Sequence, residues 1–311
     1  MNSQPLVSII CATYNQKDYI AQTIESFLMQ KVDFPIEIII HDDASTDGTA
    51  EIVRHYADKY PNLIKAILQK ENQYSKKIKI WRTYMYPLAT GEFIAECEGD
   101  DYWTDPNKLQ TQIDFLRTHS EYSACVHQAV RYNDPKKEFL PPFPAEKNER
   151  DYSIEELILG GGGLFSTNSL VFRSKYNTNE PIWEICPVGD FPQILKFALK
   201  GKIHYFPKEM SCYRVFAKGS WTNRILQQKE KRIEFLSGMD RFLESFDEYT
   251  DHKYTKVIQK KLDLNHFNLY WDYGMWNNLR KTSHYKERSF IGKMKALYHC
   301  ISCHCPLKSV K

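Results

Sequence analysis

The feature that most constrains this fold is an alternation of apolar runs with helically spaced apolar residues. Runs rich in β-branched residues occupy positions 6–13, 36–40, 64–68 and 92–97. Between the first two runs, Ile20, Ile24 and Phe27 recur at helical spacing, and further helices are predicted after residue 49 and over 78–88. Strands that are apolar throughout and alternate with helices favour a parallel sheet covered on both faces. The sequence therefore predicts an α/β fold.

The pattern is less regular after residue 100. A helix is predicted after Pro106, strands at 123–130, 169–172, 203–206 and 210–215, and a short helix at 154–159. The charged segment 135–151 contains three closely spaced prolines and is expected to be a loop. Four glycines at 160–163 suit either a lid that closes on a ligand or a flexible connector.

The composition changes near residue 221. Gln, Lys, Glu, Arg and Asn become frequent, and apolar residues recur at helical spacing, for example at Ile225 and Ile233. We predict one domain over residues 1–220, containing the sheet, and an appendage of two to four helices over residues 221–311.

Polar residues cluster where the first, second and fourth predicted strands end. Parallel sheets bind ligands beyond the carboxyl ends of their strands, so these side chains are expected to share one edge. Carboxylates crowded together repel one another unless a cation joins them, and Mg²⁺ is held by one or two carboxylates plus substrate phosphates. The sequence thus predicts a site for a phosphate-bearing substrate. The polar residues are Asn15, Asp42, Asp43, Glu96, Glu98, Asp100 and Asp101.

A further carboxylate, Asp190, directly precedes a predicted helix whose apolar face includes Ile194, Leu195 and Phe197. Asp is a favoured residue at a helix N-terminus, so a capping role is one interpretation. A catalytic carboxylate is the other, and the spacing leaves both open.

Charge and cysteine content bear on partners and location. The net charge of +3 is too balanced to predict a nucleic-acid partner. The N-terminus has no secretory pattern, no apolar run could cross a bilayer, and the eight cysteines are expected to be reduced. A cytoplasmic protein is therefore expected.

The C-terminal tail admits two special interpretations. The run 299–305 is rich in Cys and His, which are zinc ligands, although they lie closer together than in the usual zinc motifs. Residues 290–308 are basic and apolar, which suits peripheral contact with the inner face of a membrane or an ordinary solvated helix.

Three blocks together resemble the family 2 glycosyltransferases. They are VSIICATYN at 7–15, DDASTDGT at 42–49, and GEFI at 91–94 leading into EGDD at 98–101. The resemblance covers about residues 5–220 and implies the GT-A fold, a Rossmann-like, mostly parallel sheet flanked by helices. It also implies an inverting enzyme that moves a sugar from a nucleoside-diphosphate sugar to an acceptor hydroxyl. The motif QxxRW of processive synthases is not seen, which implies addition of a single sugar.

The resemblance also implies roles for individual residues. The loop Thr13, Tyr14 and Asn15 would border the base of the donor, and Asp43 would face that base with Asp42 beside it. Glu98 and Asp100 stand in place of the DxD motif that holds Mn²⁺ or Mg²⁺ on the diphosphate. Asp101 would lie near the sugar or the metal, and Asp190 would be the catalytic base. Where many relatives have His after a Tyr-Arg pair, this chain has Phe216.

The implied partners are a nucleoside-diphosphate sugar, with a UDP-sugar favoured, and a glycan or lipid-linked sugar acceptor in bacterial surface polysaccharide synthesis. Two other functions stay open. One is a nucleotide-sugar-binding module without catalysis. The other is a sugar-phosphate nucleotidyltransferase, although such enzymes usually carry a glycine-rich loop after the first strand, and residues 14–17 contain no glycine.

Overall fold

The computed structural model describes residues 4–218 and 228–303. These residues form two compact units, one from 4–179 with 188–218 and the other from 180–187 with 228–303. The predicted boundary near residue 221 and the helical spacing at Ile225 lie outside the described residues.

The first unit is built on a single mixed sheet of ten strands. Their order across the sheet is β3-β2-β1-β4-β9-β6-β10-β5, with β7 paired to β6 and β8 paired to β10. The pairs β1–β2, β2–β3, β1–β4 and β6–β10 are parallel. The strands are β1 (Val7–Thr13), β2 (Ile36–Asp42), β3 (Ile64–Leu68), β4 (Phe93–Glu98), β5 (Tyr102–Trp103), β6 (Tyr122–Asn133), β7 (Glu138–Phe143), β8 (Arg150–Tyr152), β9 (Val171–Arg173) and β10 (Lys202–Val215).

Five helices belong to the first unit. α1 packs Ile20, Ile24 and Phe27 into the core, as their spacing predicts. Ser153 caps α4, since its hydroxyl accepts a hydrogen bond from the Glu156 amide. The Glu156 side chain in turn accepts a hydrogen bond from the Ser153 amide. The helices are α1 (Ile20–Leu28), α2 (Thr49–Lys59), α3 (Lys108–Thr118), α4 (Ile154–Gly160) and α5 (Asp190–Ala198).

The four apolar runs form the first four strands within two residues of their predicted limits, and the α/β class is confirmed. Most apolar side chains of β1, β2 and β4 are buried, for example Ile9, Ile39 and Phe93, as expected for strands in the interior of a parallel sheet. The helix predicted over 78–88 is found as a π-helix at Trp81–Met85 and a 3-10 helix at Tyr86–Leu88, and not as one regular α-helix. Pro87 has no amide hydrogen to donate to the preceding turn, so a regular helix cannot continue through it.

Two further predictions are corrected around β6. Segment 135–151 is not a loop, because it contains β7 and β8, and Pro141 and Pro142 lie in β7, which pairs with β6 alone. Prolines are tolerated on such an edge strand. The two strands predicted at 203–206 and 210–215 are one strand, β10, whose register shifts around Pro207 and Lys208. A bulge at these residues lets the strand pass the proline without ending.

The second unit contains five helices among its described residues. They are α6 (Lys229–Tyr249), α7 (Thr255–Asp272), α8 (Trp276–Leu279), α9 (Ser283–Lys286) and α10 (Phe290–Cys303). Two to four helices were expected, and the one-turn helices α8 and α9 account for the difference. Phe267, Leu279, Ala296 and Cys300 form a small buried cluster that joins α7, α8 and α10.

Candidate functional site

Three parallel strands bring the predicted polar residues to one edge of the sheet. Thr13 at the end of β1 lies opposite Asp42 at the end of β2, and Ala12 lies opposite Glu98 at the end of β4. The loops that follow these strands therefore start side by side, which is where parallel sheets bind ligands.

The loops after β1 and β2 are tied together by side chains. The Asn15 amide donates to the Ser45 hydroxyl at 2.8 Å, and the Asn15 side-chain oxygen accepts from the Thr46 amide at 2.8 Å. Asn15 has φ of 52°, a left-handed conformation that Asn tolerates better than most residues. The neighbouring Tyr14 ring is 40% exposed, so it is free to meet a ligand at this edge.

Asp42 and Asp43 are buried, and both have partners within the chain. Asp42 accepts hydrogen bonds from the amide and the hydroxyl of Ser45, while its burial raises its pKa despite these bonds. The two Asp43 carboxylate oxygens accept from the amides of Gln73 and Tyr74 at 2.8 and 3.0 Å. Asp43 thus fixes the loop that follows β3 against this edge.

Glu98 and Asp100 are the partly buried acids at the end of β4. Burial, together with the negative charges of Asp100, Asp190 and Glu96, raises the pKa of Glu98 to about 8. The Asp100 pKa is also raised, mainly by burial, although Arg214 and a hydrogen bond from Gln16 oppose the shift. Such crowded carboxylates favour either a proton or a cation between them.

Glu96 and Asp101 have different surroundings from Glu98 and Asp100. Glu96 lies inside β4 and accepts hydrogen bonds from Tyr86 at 2.6 Å and Gln193 at 2.8 Å. Asp101 is 1% exposed, and its oxygens accept from the Asn168 side chain at 2.7 Å and the Arg214 amide at 2.8 Å. Both acids hold elements of the first unit together. The expected contact of Asp101 with the donor stays a prediction.

Gly99 allows the acidic stretch to lie directly against the loop after β1. A β-carbon at residue 99 would lie 2.5 Å from the Gln16 side-chain oxygen and 2.7 Å from the Thr13 hydroxyl oxygen. That oxygen of Gln16 also accepts a hydrogen bond from Thr13 at 2.8 Å. Gln16 therefore connects the end of β1 with Asp100, a role that the sequence pattern did not indicate.

Asp190 is the first residue of α5, and its carboxylate accepts a hydrogen bond from the Phe191 amide at 2.8 Å. Burial raises its pKa. Its charge also contributes to the raised pKa of Glu98, and Gln193 of the same helix donates to Glu96 in β4 at 2.8 Å, so the first turns of α5 lie against β4. Asp190 does not act as a cap from outside the helix, since Gly189 occupies that position.

The glycine run lies against Asp190. A β-carbon built on Gly162 would fall 2.5 Å from Asp190 Oδ2, whereas one built on Gly163 meets nothing within 4 Å. Gly162 therefore lets the backbone approach the Asp190 carboxylate closely. The sequence indicated that the four glycines were unusual but not which carboxylate they contact.

Arg214 and Asn168 hold the acidic residues at the end of β4 in place through hydrogen bonds. The Arg214 side chain donates to the Asp100 carbonyl oxygen and stacks against the Tyr19 and Tyr102 rings. Asn168 is fully buried and donates to Asp101 while its side-chain oxygen accepts from two serine hydroxyls. No sequence signal identified Asn168, because its partners come from distant segments.

The residues at this edge fit a divalent cation bound together with a substrate. Among residues 4–218 and 228–303, no three Asp, Glu, His or Cys side chains are arranged to hold a metal by themselves. Glu98 Oε2, however, is buried without a hydrogen-bond partner in the described chain. A free carboxylate oxygen beside Asp100 matches the way Mg²⁺ is held by one or two carboxylates plus substrate phosphates.

In its described part, the C-terminal tail does not form a cluster of metal ligands. His299 stacks on Trp271 and donates from Nε2 to the Trp271 carbonyl oxygen at 3.1 Å, and Cys300 is buried beside α7. His304 and Cys305 lie outside the described residues. In the described chain, no helix combines the length and the apolar character needed to cross a bilayer.

Comparison with known proteins agrees with this geometry. The profile of Glycosyl transferase family 2 matches residues 8–201. An uncharacterised protein of Mycobacterium tuberculosis is 34% identical over 84% of this chain and 69% of its own length. An Escherichia coli protein, WfaP, is 41% identical over 38% of this chain and 43% of its own length; its name is UDP-Glc:alpha-D-GlcNAc-diphosphoundecaprenol beta-1,3-glucosyltransferase.

Two solved structures share the fold. Staphylococcus aureus TarS 1–349, in complex with UDP-GlcNAc, superposes with a TM-score of 0.62 at 19% identity, covering 96% of this chain and 81% of TarS. The mannosyltransferase PcManGT of Pyrobaculum calidifontis, in complex with GDP-Man and Mn²⁺, gives 0.56 at 15% identity, covering 98% and 82%.

The sheet, the shared strand ends and the acidic stretch define a GT-A-like α/β protein of the glycosyltransferase class. The family profile covers more than half of the chain, so the protein belongs to glycosyl transferase family 2. The family resemblance inferred from the three sequence blocks is thereby confirmed.

Proposed function

We propose that the protein is an inverting glycosyltransferase. It moves one sugar from a nucleoside-diphosphate sugar, with a UDP-sugar favoured, to a hydroxyl of a glycan or lipid-linked acceptor. The observation that carries this proposal is the contact between α5 and β4, in which Gln193 donates to Glu96 at 2.8 Å and the Asp190 charge contributes to the raised pKa of Glu98, so that carboxylates of both elements interact. Inverting displacement needs two such groups, one for the nucleophile and one for the leaving group.

Asp190 is the proposed general base. It accepts the proton of the acceptor hydroxyl as that oxygen bonds to the anomeric carbon of the donor, and the bond from that carbon to the diphosphate breaks. A positioned base contributes about 10²–10⁴-fold to the rate. Because burial raises the Asp190 pKa, the base becomes active at a higher pH than an ordinary Asp side chain.

Glu98 and Asp100 are the proposed metal ligands, with Mn²⁺ or Mg²⁺ as the ion. When bound there with the donor, the ion would supply Lewis-acid stabilisation of the diphosphate charge. The unpartnered Glu98 Oε2 supports this assignment. Arg214, Gln16 and the backbone around Gly99 hold both acids at the end of β4.

The loop of Thr13, Tyr14 and Asn15 is the proposed border of the base-binding site, with Asp42 and Asp43 beside it. Exposure of Tyr14 supports stacking or edge contact with a base. The hydrogen bonds that Asp43 accepts from residues 73 and 74 support a role in shaping this site, and any contact with the base would use its remaining lone pairs.

A first experiment tests the donor and the metal. Thermal unfolding is followed with UDP or GDP, each with MnCl₂ or EDTA. A ligand at a hundredfold excess over its Kd adds about 2.7 kcal/mol of stability. We expect a shift with UDP and Mn²⁺ that EDTA removes. Equal stabilisation by UDP in EDTA would contradict the metal assignment.

A second experiment tests the base. Hydrolysis and transfer of UDP-sugars are measured for Asp190→Asn and for a control, Asp114→Asn, which alters an exposed carboxylate on α3. We expect Asp190→Asn to lose turnover while keeping UDP binding, and the control to keep both. Near-normal transfer by Asp190→Asn would overturn the base assignment. Donor binding without turnover in the unaltered protein would favour the non-catalytic module.

A further inference from the structure

The C-terminal helix α10 has two different apolar faces. Its inner face contributes Ala296 and Cys300 to the buried cluster with Phe267 and Leu279. Its outer face carries a second apolar set that stays exposed in the described chain. These outer residues and their exposed fractions are Phe290 78%, Ile291 68%, Met294 50%, Tyr298 76% and Ile301 62%.

The spacing of this outer set makes it one continuous stripe. Ile291, Met294, Tyr298 and Ile301 follow one another at three or four residues, so they share one side of the helix. We call these four residues, together with the neighbouring Phe290, the outer stripe. Large exposed apolar patches on soluble proteins mark interaction sites.

The charge around the outer stripe indicates what it contacts. Residues 280–311 contain eight Lys or Arg residues against a single acidic residue, Glu287, a net charge of +7. The whole chain has a net charge of +3, so the remainder carries −4. Residues 290–303 contain no acidic residue, and Lys293 and Lys295 lie within the helix itself. A basic segment with an apolar, aromatic-containing face complements an anionic lipid surface.

The described part of α10 is shorter than a membrane-spanning helix. It has 14 residues, whereas a bilayer core needs about 20 helical residues. We propose that α10 lies along an anionic bilayer surface, with the outer stripe inserted at the level of the headgroups and the surrounding lysines on lipid phosphates. Phe290 and Tyr298 suit this position, since aromatic rings collect at the membrane interface. This inference does not depend on the glycosyltransferase reaction.

The test is sedimentation of the full chain with vesicles. One set contains phosphatidylcholine only, and the other contains equal parts of phosphatidylcholine and phosphatidylglycerol. We expect binding to the second set, weakened by added NaCl, and little binding to the first. Absence of binding to the anionic vesicles at low salt would overturn the proposal.

Two variant pairs separate the apolar and charged contributions. Ile291→Ser with Tyr298→Ser should weaken vesicle binding by about tenfold or more, because each buried apolar side chain contributes strongly. Its control is Phe139→Ser, which removes an exposed ring in β7. Lys293→Gln with Lys295→Gln should cost about fivefold for each lysine. Its control is Lys256→Gln with Lys260→Gln on α7, also exposed.

Because every altered side chain of the outer stripe is exposed, the variants should unfold at the temperature of the unaltered protein. Equal vesicle binding by the outer-stripe variant and by Phe139→Ser would overturn the proposal. So would a dimer in size-exclusion chromatography that Ile291→Ser with Tyr298→Ser abolishes while vesicle binding persists, because the outer stripe would then be an interface between two copies.

Discussion

Replacement of Gly162 by alanine tests whether the position of the Asp190 carboxylate matters for catalysis. The new β-carbon would lie 2.5 Å from Asp190 Oδ2, and carbon atoms of this kind are not found closer than 3.0 Å to such a neighbour. The carboxylate must therefore move by about 0.5 Å or more, which is the difference between these two distances.

The size of the expected effect follows from the geometry of proton transfer. Misplacing a reacting group by about 1 Å can cost about 10²-fold in rate, so a shift of half that size predicts a fall in kcat of about 10-fold. Stability should change little, because the atom that moves is the end of a flexible side chain and not backbone. The expected variant is thus folded, binds UDP normally and turns over slowly.

Gly163→Ala is the matched control, since its β-carbon would meet nothing within 4 Å. Both variants change one glycine of the same run into alanine, so they affect the flexibility of the backbone equally. The assay is kcat and KM for UDP-sugar turnover, together with the unfolding temperature. If both variants kept the unaltered kcat, the proposed dependence on Asp190 would be refuted. If both lost it equally, flexibility of the run would be the cause.

Three further predictions concern the acids and a buried lysine. Asp100→Asn should weaken Mn²⁺-dependent stabilisation by UDP about tenfold or more, and an unchanged thermal shift would contradict its role as a ligand. Asp101→Ala should cost about 3 kcal/mol in urea unfolding, because it strands buried donors of Asn168 and Arg214; an unchanged midpoint would contradict this. Lys108 is fully buried, and burial lowers its pKa from 10.5 to about 7. Between these values the unfolded state binds more protons, so stability rises with pH by up to about 5 kcal/mol. Lys108→Met should abolish this rise, and an identical pH profile would refute the reasoning.

The first four strands could be predicted from sequence because their information is local. Each is rich in apolar residues, and in β1, β2 and β4 burial on both faces leaves little polar alternation, whereas β3 was predicted although Lys65 and Ala66 are exposed. The edge strand β7 was predicted as a loop, and the bulged strand β10 was predicted as two strands, because both contain prolines. A proline can stay in a strand when no neighbouring strand needs a hydrogen bond from the amide at that position. The sequence does not show which strands are neighbours.

The residues of the candidate site were also only partly predictable from the sequence. Asn15, Asp42, Glu98 and Asp100 could be placed together because parallel strands bring their carboxyl ends to one edge. Gly162 could not be paired with Asp190, since no periodic pattern relates a glycine run to the start of a later helix. That pairing depends on how α4 and α5 pack within the first unit.

The position of Asp190 in the fold explains why one residue can be expected to act alone as the base. Gly189 precedes it in the chain, so no carboxylate directly before it shares the proton. The raised Asp190 pKa is caused by burial, and its hydrogen bonds from the Phe191 amide and its own backbone oppose that shift. Such a base depends on exclusion of water more than on a charged partner. Gly162 lets the carboxylate keep its position, because a β-carbon there would fall 2.5 Å from Asp190 Oδ2.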